Sequence, residues 1–307
     1  MRIVLNGQQP FGADVLRKLV DRGEDVVAVY CAPDRPNGGP DPLKEAAGEL
    51  GIPVRQPESF KGPEAVDDMA RWEADLMVMA FVTLFVPEDV LNVPTHGAIQ
   101  YHPSLLPRHR GPSAINWAII QGDATTGVTI FWPDDGLDTG PVLLREEVAI
   151  DPDDTLGSLY FDKLYPMGIE AMARGVDLVK AGDPPRLVQD EAEATYEGWC
   201  RSEDVEIDWS APAPRVYDLV RGANPRPGAW TTLDGERLGI LDCRLVEDDP
   251  GAPPGQVVEA SGDGFVVAAG GGALRVAGVR LDSGEKAAAG DLAGGRLGRG
   301  TRLGAAS

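Results

Sequence analysis

A histidine and an aspartate are the residues whose setting in this 307-residue chain could support chemistry. His102 follows an apolar run, Ala98 to Tyr101, and opens a loop stiffened by Pro103 and Pro107. Asp138 stands 36 positions later in DDGLDTG, behind another apolar run at Thr129 to Trp132. An imidazole held by a carboxylate can shuttle a proton and stabilise a developing oxyanion, which is the chemistry of acyl transfer. Spacing alone favours the plainer alternative, a structural histidine and a turn-forming aspartate, because such pairs are common. Gly7 to Gly12 (GQQPFG) lacks the Lys-Ser/Thr that a phosphate loop needs, so a tight turn is the better reading, and no GxGxxG indicates a dinucleotide. The histidines (His96, His102, His109) form no HExxH and no Cys/His cluster, so no metal is expected. Cys31, Cys200 and Cys243 form no CxxC and read as ordinary thiols in a reducing compartment.

The elements that must position the pair alternate between strand and helix. Ile3 to Leu5, Val26 to Tyr30, Leu76 to Ala80 and Ala98 to Tyr101 read as strands buried on both faces. Helical spacing appears over Phe11 to Arg22 and Pro42 to Leu50, the latter ending at Gly51. This alternation predicts an α/β fold with a doubly wound, mostly parallel sheet. Such sheets bind ligands at the carboxyl ends of their strands. Three loops are therefore the places for chemistry: Phe81 to Pro87, His102 to Pro112 and Pro133 to Gly140.

A long helix is expected from Thr155 to Ala181, with Asp154 as its N-cap and Gly182 at its end. Beyond Val205 the texture changes to short β-rich runs: Leu238 to Leu245, Gln256 to Glu259, Gly264 to Ala268 and Leu274 to Val279. They read as a small antiparallel β-barrel domain. The boundary falls between Ser202 and Asp208, giving domains 1–203 and 204–307, and the Gly-rich tail from Gly294 to Ser307 is expected to fray.

The formal net charge of −21 argues against a nucleic-acid partner, because such affinity comes largely from Lys and Arg neutralising phosphates. No stretch approaches the ~20 apolar residues of a membrane helix. The opening MRIVLNG lacks the zones of a signal peptide, so a cytoplasmic protein with no membrane association is expected.

HPSLLPRHRG (His102 to Gly111) followed by GLDTG (Gly136 to Gly140) resembles the folate-dependent formyltransferase family. Ile207 to Trp230, IDW…VRGANPRPGAW, is similar to the entry into the small C-terminal barrel of that family, and the resemblance fades after about Val246. The resemblance implies a Rossmann-like catalytic domain, an OB-like C-terminal domain and 10-formyltetrahydrofolate as co-substrate, with no metal. It implies a catalytic set of an Asn-x-His triplet and a later Asp. His102 and Asp138 match, while Gln100 stands where the family has Asn. Gln keeps the amide but adds a methylene, which puts efficient transfer in doubt, since about 1 Å of misplacement can cost ~100-fold. The resemblance also implies a pterin cleft lined by Ala80, Phe81, Val82, Thr83 and Leu84 and by Asp134, Asp135, Gly136, Leu137 and Asp138. Ser104, Leu105 and Leu106 would lie beside it, the leucines as apolar walls or as plain core. Arg108, His109 and Arg110 would attract a charged tail or form a solvated loop.

Within the family, YHPSLLPRHRG with SAINW, the AFVTLFVP loop and ATYEG at Ala194 to Gly198 are most similar to the hydrolase domain of 10-formyltetrahydrofolate dehydrogenase, where an apolar residue replaces the Asn. Nothing resembling the later domains of that enzyme follows, so oxidation of the formyl group is not expected. Length and layout are also similar to methionyl-tRNA formyltransferases, but the loop PDRPNGGPDPLKE carries only Arg35 and Lys44 where those enzymes grip tRNA. The expected reaction is formyl transfer to a small-molecule amine, with hydrolysis to formate second and tRNA third.

Overall fold

The computed structural model describes residues 1–34, 38–293 and 295–304; Arg35, Gly294 and the last three residues of the tail lie outside the described residues. In chain order the elements are β1 (Arg2–Gly7), α1 (Gln9–Asp21), β2 (Asp25–Tyr30), α2 (Pro42–Glu49), β3 (Val54–Arg55), α3 (Pro63–Ala70), β4 (Leu76–Ala80), α4 (Glu88–Leu91) and β5 (Ala98–His102). There follow α5 (Ala114–Ile120), β6 (Thr125–Phe131), β7 (Val142–Ala149), α6 (Leu156–Ser158), α7 (Tyr165–Lys180) and α8 (Ala213–Ala223). The chain ends with β8 (Trp230–Leu233), β9 (Glu236–Val246), β10 (Val257–Ser261), β11 (Gly264–Ala269), β12 (Gly272–Arg280) and β13 (Lys286–Ala288).

Two compact units result. The first holds 1–111, 126–148 and 161–196; the second holds 112–125, 149–160 and 197 onward. The first is built on a seven-stranded sheet in the order β3-β2-β1-β4-β5-β6-β7. Strands β1 to β5 pair in parallel, and β6 runs antiparallel to β5. Ile3, Val4 and Leu5 are fully buried, as the unbroken apolar run predicts for a strand covered on both faces. Helix α1 lays Phe11, Val15, Leu16 and Leu19 onto the core. Gly7 to Gly12 is the junction of β1 and α1, with Gln8 alone between them.

The expected continuous helix from Thr155 is instead broken. Thr155, not Asp154, caps α6 through a reciprocal pair with Ser158. Asp154 accepts from Asp151 N and Ser158 Oγ. A π-turn at Leu159–Leu164 precedes α7, whose second residue is Pro166. Proline has no N–H to offer the preceding turn and is tolerated only in the first turn of a helix, so a new regular helix starts at Tyr165.

The second unit contains the expected antiparallel sheet, with its strands in the order β10-β11-β12-β9-β8 and β13 on β12, together with the segments 112–125 and 149–160. Helix α8 packs Val216, Tyr217 and Val220 into its core with Trp209, Phe265 and Leu274. The tail does not fray over its described part: Leu297 and Leu303 are buried. Its backbone pairs with the sheet through Val257 N to Thr301 O at 2.8 Å, Leu303 N to Gly255 O at 2.8 Å and Gly304 N to Thr232 O at 2.9 Å. A Gly-rich composition allows fraying, but two leucines at core positions outweigh it.

Truncating a buried leucine costs the lost transfer free energy plus a cavity, typically about 2–5 kcal/mol. Leu303→Ala is therefore expected to lower stability by that order in denaturant unfolding; a change below about 0.5 kcal/mol would restore the frayed tail. In the first unit, burial pushes the Glu24 carboxyl up, but hydrogen bonds from Lys180 Nζ at 2.6 Å and the N-terminal ammonium at 3.1 Å bring it below its ordinary value. The unfolded chain then binds the proton more readily, so this stabilisation is present above the ordinary carboxylate pKa and fades as pH falls through the lowered one. Glu24→Gln should flatten the acid limb of thermal stability below about pH 4.3.

Candidate functional site

Strand register builds the floor of a cavity in the first unit. Gln100 on β5 pairs with Met79 on β4 and with Phe131 on β6. Residues at one register level share a face of the sheet. His102 lies two residues further along β5, hence on the same face, opposite Thr129. The cavity above Met79, Gln100 and Phe131 is about 200 Å³, walled by residues 82–86 on one side and by Pro133, Asp134, Gly136, Leu137 and Asp138 on the other. That is room for a ring-sized fragment rather than for a whole drug-sized ligand.

The loop carrying Asp138 does not leave the sheet as the strand-end rule predicts. Because β6 is antiparallel, it ends at Phe131 opposite Gln100, and the chain must turn back to reach His102. Asp134 organises the turn by accepting from Gly136 N at 3.0 Å and Thr139 Oγ1 at 2.6 Å. A Cβ on Gly136 would stand 1.9 Å from Thr139 Oγ1, and one on Gly140 would stand 1.7 Å from the Trp132 carbonyl oxygen. Asp138 itself has a φ of +58°, in the left-handed region that side chains other than Asn, Asp and Gly seldom adopt. The Gly-x-Asp-Thr-Gly pattern is thus a requirement of the turn.

His102 and Asp138 meet. Nδ1 of His102 is 3.6 Å from Oδ2 of Asp138, and both side chains are almost wholly buried. Nε2 lies 2.8 Å from the carbonyl oxygen of His109. A carbonyl only accepts, so Nε2 carries a proton and Nδ1 is the nitrogen left for the carboxylate. The 3.6 Å separation is longer than a hydrogen bond. Oδ2 of Asp138 also accepts from Gly111 N at 2.8 Å, which ties the two loops together.

The loop from Pro103 to Gly111 is held at several points. Thr129 Oγ1 donates to Ser104 O at 2.6 Å and accepts from Leu106 N at 3.1 Å. Ser104 Oγ donates to Arg108 O at 2.7 Å, and Arg145 Nη1 donates to Leu106 O at 2.8 Å. His109 N donates to Thr195 Oγ1 at 2.8 Å and Arg110 N to Thr195 O at 3.0 Å. Arg110 is buried, its guanidinium engaged by Gln189 and Glu191, while Arg108 is exposed.

Of the residues named from the sequence, Val82, Thr83, Leu84, Gln100, Asp134, Gly136, Leu137 and Asp138 line the one cavity. Ala80 is buried within β4, Phe81 is 44% exposed, and Asp135 is exposed outside the lining. Leu105, Leu106 and Arg108 border a second cavity of about 370 Å³ with Val142, Arg145 and Leu187. Leu106 is core there, packed with Phe131 and Val142. Ser104 is fully buried as a loop strut. Sequence reasoning did not single out Gln189 and Thr195. Thr195 sits in the ATYEG string already noted, whereas Gln189 had no periodicity or motif to mark it. Among the described residues no group of three His, Cys, Asp or Glu could hold a metal ion, and no helix is long and apolar enough to cross a membrane.

Comparison with known proteins gives this geometry a family. The formyl transferase family model matches residues 1–173, and the model of the formyl transferase C-terminal domain matches 200–297, well past the point near Val246 where motif-level resemblance fades. A methionyl-tRNA formyltransferase of Geotalea daltonii is 41% identical over 310 aligned positions, covering 99% of this chain and 98% of that protein. The cytosolic 10-formyltetrahydrofolate dehydrogenase of Xenopus tropicalis is 42% identical over 85% of this chain, which spans 29% of the dehydrogenase's length. An N-formyltransferase from Helicobacter canadensis, solved with folinic acid and dTDP-3-aminofucose, shares the fold at a TM-score of 0.67 and 15% identity, covering 89% of this chain and 97% of that one. A paired His102 and Asp138 above a sheet of this order, together with family models over both parts of the chain, show that it belongs to the formyl transferase family of enzymes.

Proposed function

We propose that the chain transfers a formyl group from 10-formyltetrahydrofolate to a small-molecule amine, with the chemistry carried by a catalytic domain of residues 1–203 that precedes a small β domain of residues 204–307. The observation that carries this reading is the buried His102–Asp138 pair next to a cavity that Gln100 helps to floor. The cavity suits the folate: its floor and walls offer Met79, Val82, Leu84 and Phe131 to a flat ring, and Asp134 and main-chain groups to its polar edge. The co-substrate supplies a formyl group that is already activated. His102, its Nδ1 facing Asp138, relays a proton with that carboxylate and stabilises charge on the formyl oxygen; Asp138 orients the ring and balances its charge. Gln100 offers an amide N–H toward the developing charge on the formyl oxygen, one methylene further from its backbone than the family's Asn.

The amine reading draws on the −21 charge, which disfavours tRNA, although the full-length likeness to methionyl-tRNA formyltransferases keeps tRNA as the third acceptor. Gln100 in the Asn position and the likeness to the dehydrogenase favour a second reading in which water accepts the formyl group.

Purified protein mixed with 10-formyltetrahydrofolate alone should bind it and release little formate until an amine is supplied. Rapid acceptor-free release would establish water instead. Formylation of methionyl-tRNA that weakens steeply with salt would establish tRNA, and failure to bind the folate would sink all three. His102→Ala is expected to lower turnover of the formyl donor by about 10²–10⁴, and Asp138→Asn by a similar order, in stopped assays of tetrahydrofolate release. Activity within a few-fold of the parent in either variant would remove that residue from the reaction.

A further inference from the structure

Asp138 holds an uncommon backbone conformation, and Gly111 N is a partner of its side chain, not of its main chain. What grips the main chain of the turn is Gln189, from a segment that follows the last helix of the first unit. Gln189 is buried. Its Nε2 donates to Asp138 O at 2.8 Å and to Gly140 O at 2.7 Å. Its Oε1 accepts from Arg110 Nε at 3.1 Å and Nη2 at 2.9 Å.

These four contacts fix the amide orientation without ambiguity. Carbonyls only accept and a guanidinium only donates, so a flipped carboxamide would oppose oxygen to oxygen and N–H to N–H at every contact. Arg110 is steadied in turn by Glu191, at 3.0 Å from Nη1 and 2.6 Å from Nη2. The segment is also anchored at both ends. Leu187 pairs with Val142 through two backbone hydrogen bonds, and Thr195 accepts from the backbone of His109 and Arg110. One strand of irregular chain therefore ties the loop of His102 to the loop of Asp138.

We propose that Gln189, oriented by Arg110, is a positioning residue for formyl transfer: it clamps the 138–140 turn so that the Asp138 carboxylate faces His102 Nδ1. This rests on the reading of His102 and Asp138 given above. Gln189→Glu keeps the length and an acceptor for Arg110 but replaces both donors with an acceptor that repels the two carbonyls. A displacement of about 1 Å at a reacting group costs on the order of 100-fold. The variant is thus expected to lose about 10- to 100-fold in kcat, with KM for 10-formyltetrahydrofolate within about twofold.

The second readout is independent of turnover. With three histidines in the chain, ¹⁵N-histidine spectra assigned by His102→Ala report the His102 ring directly. Gln189→Glu should shift that resonance while His96 stays in place. Should Gln189→Glu fail to fold, Gln189→Met, neutral and of the same length, carries the same test. A folded variant with unchanged kcat and an unchanged His102 resonance would overturn the proposal, as would a fall in melting temperature alone. If the parent protein turns over no formyl donor, the functional reading fails, and the His102 resonance still decides whether Gln189 sets the pair.

Discussion

Placing a carboxylate beside a buried imidazole is the demand that shapes the first unit. The sheet does not meet it directly, because β6 runs against β5 and carries the chain away from His102. The return is made by a short turn in which Asp138 takes a left-handed conformation, an arrangement of order 1 kcal/mol above the ordinary one that persists only when its surroundings over-determine it. Those surroundings are visible: Asp134 inside the turn, Gly111 N on the carboxylate and Gln189 on the carbonyls. Asp134 accepts from the turn's own N–H and hydroxyl groups, while Gly111 N and Gln189 Nε2 donate to its carboxylate and carbonyls.

The imidazole is treated in the complementary way. The His109 carbonyl fixes a proton on Nε2, so the ring has one orientation, with Nδ1 facing Asp138. That carbonyl is itself placed by the 103–111 loop, which Thr129, Arg145 and Thr195 hold from three directions. Loops bearing functional groups are usually among the mobile parts of a protein. Here two of them are cross-linked by side chains buried enough that water competes little for the bonds, which is how a site gains precision without resting on a strand or helix.

Gln100 occupies a different position in this scheme. It belongs to the sheet, fixed by pairing with Met79 and Phe131, and its side chain rises into the cavity. Its backbone is therefore as well placed as any in the protein, and what varies is the reach of the amide. A longer side chain on a strand fixed by its pairing changes where a hydrogen-bonding group sits.

Much of this was legible in the chain itself. The apolar runs marked β1, β2, β4 and β5, because strands covered on both faces cannot alternate. His102 at the end of an apolar run and Asp138 in GLDTG marked the two loops that meet. Local sequence also implied a second, β-rich part after Val205. Tertiary structure alone decided the rest. The direction of β6, the break ahead of α7 and the packing of the tail through Leu297 and Leu303 each depend on partners remote in sequence. The same holds for Gln189, a single polar residue in an irregular segment. Its role comes from four hydrogen bonds to residues 49 to 79 positions away, a distance across which no local pattern can carry information.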